Sequence, residues 1–282
     1  MPTIGAHAFI WIPDWNPESG RSAIESAGRA GVELLEIPLL RPQEFDPALT
    51  KQQLADNGIR ATCSLGLPKA AHMPSHPQEA ADFLHFALDK VAALGAHFLS
   101  GVLYAHLGYL TGAPPTQQER DTCARVLGEV AAYARSLGIA LGIEPVNRYE
   151  TYLFNTVKDT LALIDATGAG NAYVHADTYH MNIEEAGFRQ AILDAGSRLA
   201  YIHMSESDRG VPGQGNVHWD EVFQGLAEID YRGPLVLESF AAVNPDLAGA
   251  TCMWRNPSYT SDQLAREGVA FLREGAARVG LP

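Results

Sequence analysis

Cysteine is scarce in this chain: three in 282 residues, Cys63, Cys123 and Cys252, an odd number, far apart and without a C-x-x-C pair. That excludes a disulfide framework and a cysteine-built zinc site, and fits thiols kept reduced in a cytoplasm. Positive charge is also short. Lys and Arg total 20 against 33 Asp and Glu, a formal net charge of −13, and no two basic residues are adjacent. A chain of that sign repels phosphate backbones and anionic lipid surfaces, so neither a nucleic acid nor a membrane surface is an expected partner. Long apolar runs are missing, with no window near the ~18 uncharged apolar residues that suggest a membrane span. The opening Met1-Pro2-Thr3-Ile4 carries no basic side chain, and the apolar stretch after it is broken by Pro13 and Asp14. This is unlike a secretory signal, and a cytoplasmic location is expected. The turn after the first apolar run, Ile12-Pro13-Asp14-Trp15-Asn16-Pro17, has no glycine, which argues against an open doubly wound nucleotide-binding sheet. Pro212-Gly213-Gln214-Gly215-Asn216 does contain Gly-x-Gly. It follows no strand directly and precedes no phosphate lysine, so it reads as a flexible loop over a site rather than a nucleotide cradle.

What is present is a repeated alternation. Hydrophobic residues make up 46% of the chain, enough for a sizeable core. Eight short apolar runs predict strands: Ile4–Trp11, Leu34–Ile37, Ile59–Leu65, Phe98–Tyr104, Ala140–Ile143, Tyr173–Ala176, Ala200–Met204 and Pro234–Leu237. Stretches with helical periodicity lie between them, among them Pro17–Ala30, Gln78–Leu94, Gln117–Leu137, Thr156–Ala166 and a last helix over Gln263–Gly280. Four helices stop in one way, at Gly31, Gly58, Gly95 and Gly138. There glycine supplies a left-handed cap and the next strand begins at once. Eight strand–helix units of this kind predict an α/β fold, a (β/α)8 TIM barrel, formed as one domain over residues 1–282.

In such a barrel, chemistry sits at the carboxyl ends of the strands. Strand five is followed by Glu144, strand six by Asp177 and strand eight by Glu238, and strand seven carries His203 near its end. A single strand that ends in a carboxylate can simply be meeting water. Four successive strands that deliver Glu, Asp, His and Glu to one rim form a metal-ligand set. Three carboxylates so close would force protons onto one another unless a cation neutralised them. Three oxygens and one imidazole nitrogen suit a hard divalent ion such as Mn²⁺, Mg²⁺ or Co²⁺ better than a structural zinc. Two open positions would remain for a substrate with adjacent oxygens.

Glu150, His180 and Arg209 lie in the loops just above these positions. Each also has an ordinary alternative: a Glu150–Arg148 ion pair, a helix cap by His180, a solvated Arg209. Glu36, at the end of strand two, reads equally as a partner of a ligand or as a solvated carboxylate. The remaining histidines, His175 and His72 among them, have no ligand spacing and read mostly as surface or core residues. Alternation on the first strand would put His7, Phe9 and Trp11 on one face, with Phe9 as barrel filling. Trp15, in the loop beyond, is expected to give the substrate an apolar wall.

These blocks resemble a known family. Ile143-Glu144-Pro145-Val146-Asn147-Arg148-Tyr149-Glu150, Asp177-Thr178-Tyr179-His180-Met181-Asn182-Ile183-Glu184-Glu185, His203-Met204-Ser205-Glu206-Ser207-Asp208-Arg209-Gly210 and Leu237-Glu238-Ser239-Phe240 are similar to the ketose 3-epimerases. Those enzymes, the D-tagatose/D-allulose (psicose) and L-ribulose 3-epimerases, are xylose isomerase-like barrels. Ser64-Leu65-Gly66-Leu67-Pro68 and Met253-Trp254-Arg255-Asn256 add to the likeness, which spans nearly the whole chain. The strand-four loop from Tyr104 to Tyr109 departs from it, lacking the tryptophan that many relatives place over the sugar.

The resemblance implies metal ligands Glu144, Asp177, His203 and Glu238, with Glu144 and Glu238 doubling as the catalytic acid/base pair. It implies substrate contacts by Glu150, His180, Arg209 and Gly66, a divalent cofactor with Mn²⁺ ahead of Co²⁺ or Mg²⁺, and a free ketose as substrate. By analogy alone it implies a homodimer or homotetramer. The reaction it implies is inversion at C3: one glutamate removes the C3 proton to leave a cis-enediolate, and the other returns a proton to the opposite face. The main alternative on the same barrel is an aldose–ketose or hydroxypyruvate-type isomerase. An endonuclease IV-type enzyme would need further ligands and a basic groove, and a non-catalytic sugar-binding module would need no acid/base pair.

Overall fold

The computed structural model describes residues 2–240, 248–249 and 253–282, and Cys252 lies outside them. Eight strands close into one parallel barrel in chain order. They are β1 Ile4–His7, β2 Leu34–Pro38, β3 Arg60–Gly66, β4 Phe98–Val102, β5 Ala140–Ile143, β6 Ala172–Asp177, β7 Leu199–Met204 and β8 Leu235–Leu237. Closure is made by β1 pairing with β8 through Ile4↔Leu235 and Ala6↔Leu237.

The helices between the strands begin and end on local signals. Asn16 caps the helix Pro17–Arg29 in a reciprocal box with Ser19, and Thr116 does the same for Gln117–Ser136 with Glu119. The helix Pro77–Leu94 ends at Gly95, whose φ of +85° is one that residues with a Cβ avoid, and Gly31, Gly58 and Gly138 also take positive φ. The last helix, Ser261–Val279, ends on Gly280. Apolar helix faces such as Leu84, Leu88 and Val91 or Leu127, Val130 and Ala134 pack against the barrel wall. Each fully buried Leu or Val there contributes about 1.5–3 kcal/mol. A separate apolar cluster of Leu34, Tyr201 and Val236, with Phe98 against it, fills the barrel near the strands' amino ends. No helix among the described residues is long and apolar enough to cross a membrane.

The first strand is shorter than its apolar run predicts. It stops at His7, and residues Ala8–Ile10 form a 3-10 turn. The His7 ring is the cause: its Nδ1 accepts the Phe9 N–H at 3.1 Å, taking that donor out of the strand ladder. The expected His7, Phe9, Trp11 face is therefore not formed. Strand four also ends early, at Val102, just after Gly101 turns the backbone to φ +108°.

Candidate functional site

Each strand end delivers its residue to the same mouth. Glu144 follows β5, Asp177 closes β6, His203 sits one residue before the end of β7, and Glu238 follows β8. All four are buried, and Asp177 lies directly opposite His203 in the β6–β7 register. Ligand atoms of Asp177, His203 and Glu238 lie within 4.8 Å of one another, as do those of Glu144, Asp177 and His180, and of Glu144, His175 and His203.

His203 is the hub. Its Nε2 is 2.7 Å from Glu36 Oε2, and the same oxygen accepts the Tyr201 hydroxyl at 2.8 Å. Tyr201 in turn shares a 2.8 Å hydrogen bond with Thr62. Glu36 is therefore a fully buried partner of the histidine rather than a solvated carboxylate. With Nε2 committed to Glu36, Nδ1 faces the mouth, 3.4 Å from Glu238 Oε1 and 3.8 Å from Glu144 Oε1, with no hydrogen-bond partner among the described residues.

Arg209 reaches into this cluster from the β7 loop. Its Nη1 donates to Asp177 Oδ2 at 2.9 Å, to Ser205 Oγ at 3.2 Å and to Glu238 Oε2. Its guanidinium lies over the Tyr179 ring at 3.9 Å. The backbone there is left-handed, φ +60°, an uncommon state for a residue with a side chain. Hydroxyls of Ser239 and Tyr259 donate to the Arg209 carbonyl and its N–H donates to the Glu206 carbonyl, which holds that conformation. It is a buried cation, not a solvated one.

Glu150 and His180 are held by one residue that composition and spacing did not single out, Asn147. Its amide donates to Glu150 Oε1 at 2.8 Å and lies 2.9 Å from His180 Nδ1, which also accepts the Asn147 backbone N–H. Glu150 does not pair with Arg148; that arginine makes a two-pronged contact with Glu184. His180 caps no helix, because Asp177 does, accepting the Tyr179 N–H at 2.8 Å. The His180 Nε2 instead lies 3.6 Å from Asp177 and 3.8 Å from Glu144.

The environment splits the carboxyls. Burial, with Glu238 and Asp177 nearby, pushes Glu144 well above the usual carboxylate range even though His203 opposes it. Burial raises Asp177 to about 6 against the pull of Arg209. For Glu238, burial is outweighed by Arg209 and His203, which hold it well below that range. Burial lifts Glu150 to about 7, with Arg209 and Asn147 opposing. On His203, burial disfavours the charged ring, but Glu238 and Glu36 outweigh it.

Phe9, Phe240 and Gly66 line the mouth beside these groups, the two rings stacked at 5.7 Å. Trp15, expected as the apolar wall, is not brought there. It packs on Phe45 and over Gly20. His175, expected as a surface or core histidine, sits fully buried, both ring nitrogens without a hydrogen-bond partner among the described residues and Nδ1 3.8 Å from Glu144. The available signal was two-residue spacing on β6, which puts His175 on the face of Asp177. The glycine-containing loop near Gly213 is pinned rather than loose. Buried Glu206 accepts N–H groups from Ser207, Gly213, Val217 and the Trp219 indole at 2.8–3.0 Å.

The donor set fits a divalent cation. Three buried carboxyls share the mouth with one imidazole whose free nitrogen is aimed at two of them and whose other nitrogen is fixed by a carboxylate, the usual support of a metal-bound histidine. A cation there would displace the His203 proton and relieve the crowding that raises Glu144.

Comparison with known proteins identifies the family. The family described as xylose isomerase-like TIM barrel matches residues 22–275. The chain is similar to an L-ribulose 3-epimerase of Methylomonas sp. (strain DH-1), 42% identical over 96% of each chain. It is also similar to a ketose 3-epimerase of Arthrobacter globiformis, 37% identical over 96% of each. Among solved structures it superposes on D-allulose 3-epimerase from Methylomonas sp. in complex with D-allulose, with a TM-score of 0.93 and 41% identity, covering 97% of this chain and 96% of that one.

Proposed function

This chain belongs to the xylose isomerase-like TIM barrel family and, within it, to the ketose 3-epimerases, and from that premise we propose that it inverts C3 of free ketoses of the D-tagatose, D-fructose/D-allulose or L-ribulose type. The observation that supports the reading is the approach of Glu144 Oε1, at 3.8 Å, and Glu238 Oε1, at 3.4 Å, to His203 Nδ1 at one mouth.

Glu144, Asp177, His203 and Glu238 would hold a divalent cation, Mn²⁺ ahead of Co²⁺ or Mg²⁺, which when bound supplies Lewis-acid polarisation of the ketose carbonyl. The rest falls to the protein's own groups. Glu144 comes from β5 and Glu238 from β8, so they address the sugar from different sides. One accepts the C3 proton and the other donates to the opposite face, which inverts the centre, and the two exchange roles when the reaction runs backward. Arg209 faces the oxygen on which negative charge develops. Glu150 and His180, tied to each other through Asn147, hydrogen-bond the hydroxyls. Gly66, with no side chain, lets the sugar approach the β3 backbone, and Phe9 with Phe240 covers its apolar face.

The test is a panel of D-fructose, D-tagatose, D-allulose and L-ribulose, run with Mn²⁺, Co²⁺, Mg²⁺ or a chelator, with products resolved by chromatography. The expected result is the C3 epimer of at least one ketose, one solvent deuteron incorporated at C3, and loss of turnover on complete metal removal. Exchange at C1 only, with aldose formed, would replace this reading with an aldose–ketose isomerase. Activity untouched by the chelator would refute the metal-assisted mechanism.

A further inference from the structure

At the end of the barrel opposite Glu144 and Glu238, the strands begin around a second cavity of about 510 Å³. It is within the size range of small-molecule sites and exceeds the about 90 Å³ left between the mouth residues. Four groups that carry or can carry positive charge line it: Lys51 on the helix Pro47–Asp56, Arg60 at the start of β3, His97 just before β4 and Arg232 shortly before β8. No Asp or Glu is among its lining residues, in a chain whose net charge is −13. The four come from four separate segments, so no basic run announces them.

These groups are little committed elsewhere. Arg60 donates to Thr3 Oγ1 at 2.9 Å, and Arg232 pairs with Asp230 in an exposed contact of a kind that contributes little. Among the described residues Lys51 makes no ion pair and the His97 side chain no hydrogen bond. Beneath this rim the lining is apolar and aromatic: Leu34, and Phe98 with its ring stacked on Tyr201 at 5.1 Å and 19°. A rim with four basic groups, one of them paired with Asp230, over such a floor matches a ligand with a compact anion at one end and a flat apolar body at the other. Two guanidinium groups and an ammonium lining one cavity favour the several oxygens of a phosphate dianion over a single carboxylate.

We propose that this cavity is a binding site, separate from the catalytic mouth, for a small organic phosphate that carries an aromatic or heteroaromatic group. It goes beyond the epimerase reading and does not depend on it.

The experiment is calorimetric titration of the full chain at low salt with AMP, with adenosine and with inorganic phosphate as separate arms, repeated in the presence of saturating ketose. AMP is expected to bind at one site per chain, about tenfold or more tighter than either fragment, since charge and apolar contact are engaged together, and to be indifferent to the ketose. The double variant Lys51→Glu/Arg232→Glu should weaken AMP by about tenfold or more, because it places two negative charges on the rim, while its thermal unfolding and ketose turnover stay at wild-type values. Arg60→Ala gives a milder loss without charge reversal. No saturable AMP binding overturns the proposal. So does AMP binding no tighter than inorganic phosphate, displacement by ketose, or an affinity unchanged in the double variant.

Discussion

At the scale of single residues, His203 is the position on which the mouth turns, and Glu36 decides how it is presented. The buried Glu36 carboxylate accepts from both His203 and Tyr201. Replacing it by Gln is expected to weaken divalent-metal affinity by about 10–100-fold, the usual cost of losing a carboxylate behind a ligating imidazole. Titration with a competing chelator measures that directly. Glu144→Gln and Glu238→Gln keep the shape but remove the base; with each variant saturated in metal, turnover should fall by about 10²–10⁴-fold, while ketose binding by calorimetry stays within a few-fold of wild type. A loss of sugar affinity equal to the loss of rate would assign these residues to binding alone. Residue identity at the strand ends was legible in the sequence, because an apolar run that stops at a carboxylate or imidazole on four successive strands has few other uses. Glu36 and Asn147 were not separable from ordinary polar positions, since their roles depend on which neighbours the barrel's closure brings beside them.

At the scale of elements, two connections fix the mouth. The loop after β7 hangs on Glu206, which takes four N–H groups on one buried carboxylate. Burial pushes that carboxyl up, but the donors outweigh it and hold it below its ordinary value. A depressed folded-state pKa means stabilisation that is present above the unfolded carboxylate value and is lost as pH falls through the folded one. Glu206→Gln should therefore cost about 2–3 kcal/mol in urea unfolding near pH 7, and its difference from wild type should shrink below about pH 4. The second connection is Gly101, at φ +108°, where an added Cβ would run into the Leu65 carbonyl oxygen. Gly101→Ala is expected to destabilise the fold by about 1–3 kcal/mol, read as a lower urea midpoint with unchanged slope. Strand and helix order could be read from periodicity and glycine stops. The early end of β1 could not, because it depends on one ring nitrogen of His7 capturing the Phe9 N–H.

At the scale of the whole molecule, buried acids are concentrated at one end of the barrel and a rim of basic groups lies at the other. A chain so negative overall gains from a cation that binds only the folded state. Addition of Mn²⁺ at about a hundred times its dissociation constant should raise unfolding stability by about 2.7 kcal/mol, seen as a saturable rise in melting temperature that Asp177→Asn reduces. Barrel closure was legible because eight units of similar length leave few other ways to satisfy parallel strands. The basic rim was not, since its members are scattered along the sequence and meet only when the barrel closes.

Thr62, Tyr201, Glu36 and His203 run in single file through the barrel's interior. Each link orients the next. These positions should therefore change together or not at all among descendants of this sequence. A conservative swap at Tyr201, remote from any sugar, will register first as a histidine that has lost its bearing.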